Sequence, residues 1–201
     1  MMAHRWFLLA VSLMLASLVA AQSGPPPTPQ PPDEVSATSI IAGPSEPGEK
    51  LIVSGQVLAP DGVTPASGVT IYAYQTDATG LYHNDANRIA RLHGWARTDA
   101  TGHFEFRTIR PAPYPSRSIP AHIHFHAWGG GYPLQWTEDL KFAGDPLLSE
   151  RDTAASQALG DFANVRAVSR GADGAWHCTV RFRLSRQTNY AAQYRDDPRT
   201  Q

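Results

Sequence analysis

From Ala121 to Trp128 the chain alternates without a break: His122, His124 and His126 hold one parity, Ile123, Phe125 and Ala127 the other. A repeat of two belongs to an extended strand, whose successive side chains leave on opposite faces, and it conflicts with the 3.6-residue repeat of a helix. The segment is therefore expected to be a strand with one face for a core and an imidazole face for other work. The same alternation recurs in Val69, Ile71 and Ala73 against Thr70, Tyr72 and Tyr74, and in Phe104 and Phe106 against His103, Glu105 and Arg107. Its longest run sets Trp176, Cys178, Val180, Phe182 and Leu184 against His177, Thr179, Arg181 and Arg183.

Between these runs stand turn residues: Asp61-Gly62, Gly129-Gly130-Gly131, and the pentapeptide Thr-Asp-Ala-Thr-Gly at both 76–80 and 98–102. An Asp that closes onto the backbone ahead of it, followed by a Gly that accepts positive φ, is hairpin chemistry, so the repeat reads as one turn used twice. The 16 Gly and 17 Pro among 201 residues also disfavour long helices. The pattern predicts an all-β, antiparallel β-sandwich over residues 51–185, with roughly seven or eight short strands. At most one short helix is expected, in Ser149–Leu159, opened by Ser149-x-x-Asp152.

The flanks have other compositions. Met1 to Ala21 reads as a secretory signal, with Arg5 ahead of an apolar run from Trp6 to Ala20 and small residues at the end, cleaved after Ala21. The run is too short for a permanent span of about 20 residues, so no stable membrane insertion is expected after cleavage. Residues 22–50 hold eight prolines and read as an extended tether; residues 186–201 read as a polar tail. An exported chain, periplasmic or extracellular, is the expectation. The 17 Lys+Arg against 18 Asp+Glu leave no basic surplus for a phosphate backbone, so nucleic acid is excluded as a natural partner. Cys178, the single cysteine, has no partner in its own chain and reads as a buried small hydrophobe.

Three imidazoles on one strand face suit a metal, since two such neighbours can share an ion while further ligands come from elsewhere. Tyr114 is one rigidly mounted residue nearby, held between Pro113 and Pro115, which both restrict the backbone.

Segments along the chain resemble the intradiol ring-cleavage dioxygenases, in particular the protocatechuate 3,4-dioxygenase branch. They are Pro47-Gly48-Glu49, Gly55-Gln56-Val57, Gly80-Leu81-Tyr82-His83, Thr98-Asp99 to Phe106, Arg107 to Pro115, Pro120-Ala121-His122-Ile123-His124-Phe125, and Phe142-Ala143-Gly144-Asp145-Pro146. The early β segments would also suit a prealbumin- or transthyretin-like sandwich, and a Pro-Tyr-Pro triplet alone is usually a turn; the combination of the tyrosine after Gly-x, the Pro-Tyr-Pro and the Pro-Ala-His-x-His-Phe is specific to the dioxygenases. The resemblance implies a mononuclear non-haem Fe(III) held by Tyr82, Tyr114, His122 and His124, with Tyr114 and His124 axial. It implies cleavage of a catechol-type ring by O2 between its two hydroxylated carbons, giving a muconate-type diacid, with Tyr114 helping to take the diol's protons. Fe(III) is a hard ion that holds a phenol deprotonated well below its usual pKa of about 10.

Three departures from the family pattern stand near these residues. Ile119 occupies the place of an arginine that stabilises anionic intermediates, leaving Arg117 as the candidate catalytic cation. The interval from Tyr114 to His122 is short, and Asp139 stands where a neutral glutamine is expected. His126 extends the stripe beyond the family's ligands, beside the site or at its edge; Trp128, Tyr132 and Trp136 either pack or line an aromatic pocket. The expected function is an exported dioxygenase acting on a small aromatic diol; the alternative is a non-catalytic metal- or ligand-binding sandwich that keeps the ligand set. The sequence leaves open whether the chain is a monomer or a homo-oligomer.

Overall fold

The computed structural model describes residues 28–188, so the expected signal segment and most of the expected tail lie outside the described residues. Eleven strands form within it: β1 (Thr38–Ile40), β2 (Lys50–Leu58), β3 (Val69–Gln75), β4 (Leu92–Arg97), β5 (His103–Ile109), β6 (His122–Gly129), β7 (Tyr132–Trp136), β8 (Leu140–Phe142), β9 (Val165–Arg166), β10 (Ser169–Arg170) and β11 (Trp176–Arg183). They make two open sheets, one ordered β1-β5-β2-β11-β10 and the other β4-β3-β6-β8-β9, with β7 paired to β6. Most pairs are antiparallel, as the sequence predicts; β1–β5, β2–β11 and β8–β9 run parallel.

The apolar parities meet between the sheets. Val53, Phe104, Phe106, Val180 and Phe182 from one sheet pack with Ile71, Ala73, Ile123 and Phe125 from the other. Phe125 lies 5.1 Å from Phe182 and 6.1 Å from Phe106, centroid to centroid, so the back of the histidine strand is locked into the core. Burying such side chains stabilises by about 1.5–3 kcal/mol each, and this apolar burial sets the strand's register. Cys178 is buried in the same core.

The single α-helix among the described residues, α1 (Glu150–Ala158), starts where its capping signature stands: Ser149 accepts from the Asp152 N–H, and the Asp152 carboxylate accepts from the Ser149 N–H.

The tether expected over residues 22–50 is corrected from residue 28 onward. β1 pairs with β5, the Arg97 N–H donates to the Ser36 carbonyl, and Ile41 and Ala42 are buried in the core. The prolines cluster before Asp33, whereas Val35 to Ala42 is free of proline and rich in apolar and β-branched residues, so it can pair at a sheet edge. Even the proline stretch is engaged: Thr28 Oγ1 lies 2.7 Å from His126 Nδ1, and the Trp95 indole donates to the Pro29 carbonyl at 3.2 Å. Among the described residues, no helix is long and apolar enough to cross a membrane.

Candidate metal centre

The β6 alternation places His122, His124 and His126 on the outer face of the second sheet, yet all three are buried, at 5%, 4% and 1% exposure. Thr28 and Trp136 lie against His126, and two loops reach His122 and His124. One, between β3 and β4, carries Tyr82; the other, between β5 and β6, carries Tyr114.

The two loops are bolted together by local sequence chemistry. In the first copy of the repeated pentapeptide, Asp77 Oδ1 accepts from the Thr79 N–H, the Thr79 hydroxyl and the Leu81 N–H. Asp99 Oδ1 repeats this pattern with Thr101 and His103, so the repeat is one turn used twice. Gly80 sits at φ 83°, and a Cβ there would stand 2.2 Å from the Pro113 carbonyl oxygen. Only glycine permits both that backbone and that approach. Thr76 Oγ1 donates to the Ala112 carbonyl at 2.7 Å, and the Ala112 N–H returns to the Asp77 carbonyl at 3.0 Å. Tyr82 and Tyr114 are thereby carried on a single rigid mount. Burial would raise Asp77, but its bonds from Thr79, Leu81 and His83 outweigh that and hold its carboxyl down to about 2.

Four donor atoms converge. Tyr82 Oη is 2.7 Å from Tyr114 Oη and 2.9 Å from His124 Nε2; Tyr114 Oη is 3.3 Å from His122 Nε2; the two Nε2 atoms are 3.0 Å apart. The other ring nitrogens face acceptors, the Pro120 carbonyl at 2.8 Å from His122 Nδ1 and the Asp139 carboxylate at 2.7 Å from His124 Nδ1. Each Nδ1 must therefore carry the proton, and each Nε2 points a lone pair at the other. The Tyr82 and Tyr114 hydroxyls can donate to these lone pairs, and with the phenols deprotonated all four atoms can instead turn lone pairs toward one cation. Donors held about 2 Å from one ion stand roughly 3 Å from each other, which matches these spacings. Two phenol oxygens with two imidazoles suit a hard, highly charged ion, so the donor set fits ferric iron.

Asp139 lies close to both histidines but on the far side of the His124 ring, so it anchors that imidazole instead of completing the donor group. The Ala121 N–H, just ahead of β6, donates to Asp145 Oδ2 at 3.0 Å, which gives the Phe142-to-Pro146 segment its part in aiming the strand. Arg117 stands apart: it is exposed at φ 51°, its N–H donates to the Tyr114 carbonyl, and its guanidinium bonds no described residue. His126 stacks on Trp136 at 4.7 Å, Trp128 is half-buried beside Tyr72 and Tyr74, and Tyr132 packs on the main core. Sequence reasoning missed Tyr74 and the anchoring role of Asp77. Tyr74 has ordinary strand parity and no motif; Asp77 was visible only as a turn residue.

A dioxygenase family model (Dioxygenase_C) matches residues 24–185, most of the chain and the whole sandwich. The chain belongs to the intradiol dioxygenase family. Members of this family are oxidoreductases that use O2, and the matched relatives carry such names. The protocatechuate 3,4-dioxygenase beta chain of Burkholderia cepacia is 33% identical over 51% of this chain and 48% of its own length. Catechol 1,2-dioxygenase 1 of Acinetobacter lwoffii is 29% identical over 55% of this chain and 42% of its own. The chain thus spans less than half the length of these curated relatives. Among solved structures, the dioxygenase domain of a dioxygenase and carbohydrate-binding fusion from Streptomyces sp. SirexAA-E is 32% identical, with a TM-score of 0.58 over 81% of this chain and 99% of that one. An intradiol ring-cleavage dioxygenase from Tetranychus urticae shares the fold at 17% identity and a TM-score of 0.56.

Proposed function

We propose that this intradiol dioxygenase family member is a non-haem Fe(III) enzyme that opens a catechol-type ring between its hydroxylated carbons with O2, yielding a muconate-type diacid. The observation that carries the reading is the convergence of Tyr82 Oη, Tyr114 Oη, His122 Nε2 and His124 Nε2 within 3.3 Å of their neighbours, with both Nδ1 protons already committed to acceptors. These four residues would hold the iron, which when bound supplies the Lewis acidity that draws in the diol oxygens and activates the ring toward O2.

The chain's own groups do the remaining work. His122 and His124 are fixed in ring orientation by the Pro120 carbonyl and Asp139, so their donor atoms need no reorganisation. Tyr114 Oη, 2.7 Å from Tyr82 Oη and 3.3 Å from His122 Nε2, is the site that takes a proton from an incoming diol, the role that the family resemblance implies for it. Arg117, exposed on the turn that follows, is the cation nearest in sequence to Ile119 and the candidate for meeting anionic intermediates there. An uncharged ring is favoured over a carboxylated one, since Asp139 adds negative charge beside His124. Arg5, the apolar run Trp6–Ala20 and the small residues at its end support export with cleavage after Ala21, which intact-mass measurement of the secreted protein would check.

The visible spectrum of the iron-loaded protein tests the reaction. A tyrosinate-to-Fe(III) band that shifts on anaerobic addition of catechol and recovers on admitting oxygen, with a ring-opened product, is the expected result. A colourless iron-loaded protein overturns the two-tyrosinate centre. Colour without turnover of any catechol leaves the second reading, a binding sandwich that keeps the ligand set, which the replacement at Ile119 favours.

A further inference from the structure

The two histidines at the centre of the site are anchored by unlike partners. His122 Nδ1 donates to a neutral carbonyl, that of Pro120, at 2.8 Å; His124 Nδ1 donates to a carboxylate, that of Asp139, at 2.7 Å. Both imidazoles are buried, the His124 side chain being 5% exposed and that of Asp139 31%, so solvent levels the difference only in part. A hydrogen bond to an ionised acceptor is roughly twice as strong as one between neutral groups, and it pushes electron density through the ring onto the opposite nitrogen. Asp139 is itself held in place: it stands just ahead of β8, and its backbone carbonyl accepts from Asn164 Nδ2 at 2.8 Å. Tyr74 stacks on the His124 ring at 4.5 Å, so the imidazole cannot tilt to escape the bond.

We infer that Asp139 is a positioning residue that makes His124 the stronger of the two imidazole donors and so makes the bound iron less electron-poor than a neutral partner at this place would. The effect runs through His124 alone. It supplies electron density to the metal, in contrast to the cationic role for which Arg117 is the candidate. Asp139 acts in this way only if the four donors hold iron, so this role rests on the metal centre proposed above.

Asp139→Asn keeps an acceptor oxygen for Nδ1 and removes the charge; Asp139→Ala removes both. The readouts are the wavelength of the tyrosinate-to-iron band and the Fe(III)/Fe(II) reduction potential of the iron-loaded full chain. Asp139→Asn is expected to move the band to longer wavelength and the potential to a more positive value, while Asp139→Ala also weakens iron binding about 10- to 100-fold. Glu138→Gln, which removes the neighbouring charge without touching His124, should leave both readouts in place. If Asp139→Asn leaves the band and potential of a coloured protein unchanged, or if Glu138→Gln shifts them equally, the positioning role is wrong while the metal centre stands. A colourless wild-type protein removes both.

Discussion

Tyr74 stands directly opposite His124 in the β3–β6 ladder and stacks on its imidazole, with ring centroids 4.5 Å apart and planes 21° apart. The stack comes from register alone: strand pairing brings a tyrosine of ordinary parity onto the face of a metal-ligand candidate. Removing the ring leaves a cavity against His124, and Tyr74→Ala is expected to cost about 3–5 kcal/mol by analogy with other large aromatic truncations in cores. Iron should be lost at a lower chelator concentration as well. Denaturant titrations of metal-free protein measure the first effect, and competition with a chelator the second; unchanged iron retention would mean that the stack only packs.

Two glycines with the same turn chemistry should separate stability from metal binding. Gly80 and Gly102 both have positive φ, and a Cβ would meet the Pro113 carbonyl oxygen at 2.2 Å in one case and that of Val57 at 2.4 Å in the other. Alanine at either place carries a left-handed penalty of about 1–2 kcal/mol, plus the cost of the clash. Only Gly80→Ala pries apart the loops that carry Tyr82 and Tyr114, so only that variant should lose the charge-transfer colour while still folded. Circular dichroism beside the visible spectrum distinguishes the two, and equal loss of colour in both variants would refute the shared mount.

Acid should destabilise the fold through specific carboxylates. Asp77 is held at about 2 against an ordinary 3.8; burial opposes this, but the bonds from Thr79, Leu81 and His83 prevail. A depressed folded-state pKa gives stability that is complete above the unfolded value and is lost as pH falls from 3.8 through about 2. Asp77→Asn should therefore flatten the fall in stability over that window. Comparing denaturant midpoints of metal-free wild type and variant at pH 5 and pH 3 checks this, because it excludes proton-driven metal release; parallel losses would show that Asp77 is not the titrating group.

Cys178 should be inert. Burial pushes its thiol up to about 11 from an ordinary 9.0, with nearby Arg166 pulling only weakly the other way. That shift lowers the thiolate fraction at pH 8 roughly 100-fold, and access is blocked besides. A thiol reagent should label the chain only on unfolding, and fast labelling of folded protein would contradict the burial.

Much of the site was legible before any fold was known, because the relevant physics is local. The stripe at His122, His124 and His126 follows from a repeat of two, the mount of Tyr114 from flanking prolines, the paired turns from Asp and Gly, and the helix start from Ser149 and Asp152. The family resemblance supplied Tyr82, which nothing in the local pattern around it marks as a ligand. In residues 28–50 proline content dominates the composition, yet the eight proline-free residues Val35 to Ala42 suffice to pair at a sheet edge.

Amino-acid order alone determines which side chains share a face, where the chain turns, and which segment cannot be a helix, since these depend on neighbours a few bonds away. Tertiary structure decides what faces what. That Asp139 holds His124, that Tyr74 stacks on it, that Gly80 meets Pro113, and that Thr28 reaches His126 across 98 positions depend on sheet register and loop packing. Burial of Phe125 between Phe106 and Phe182 sets that register, because sliding β6 by one residue would put the histidines into the core and the apolar residues into the site.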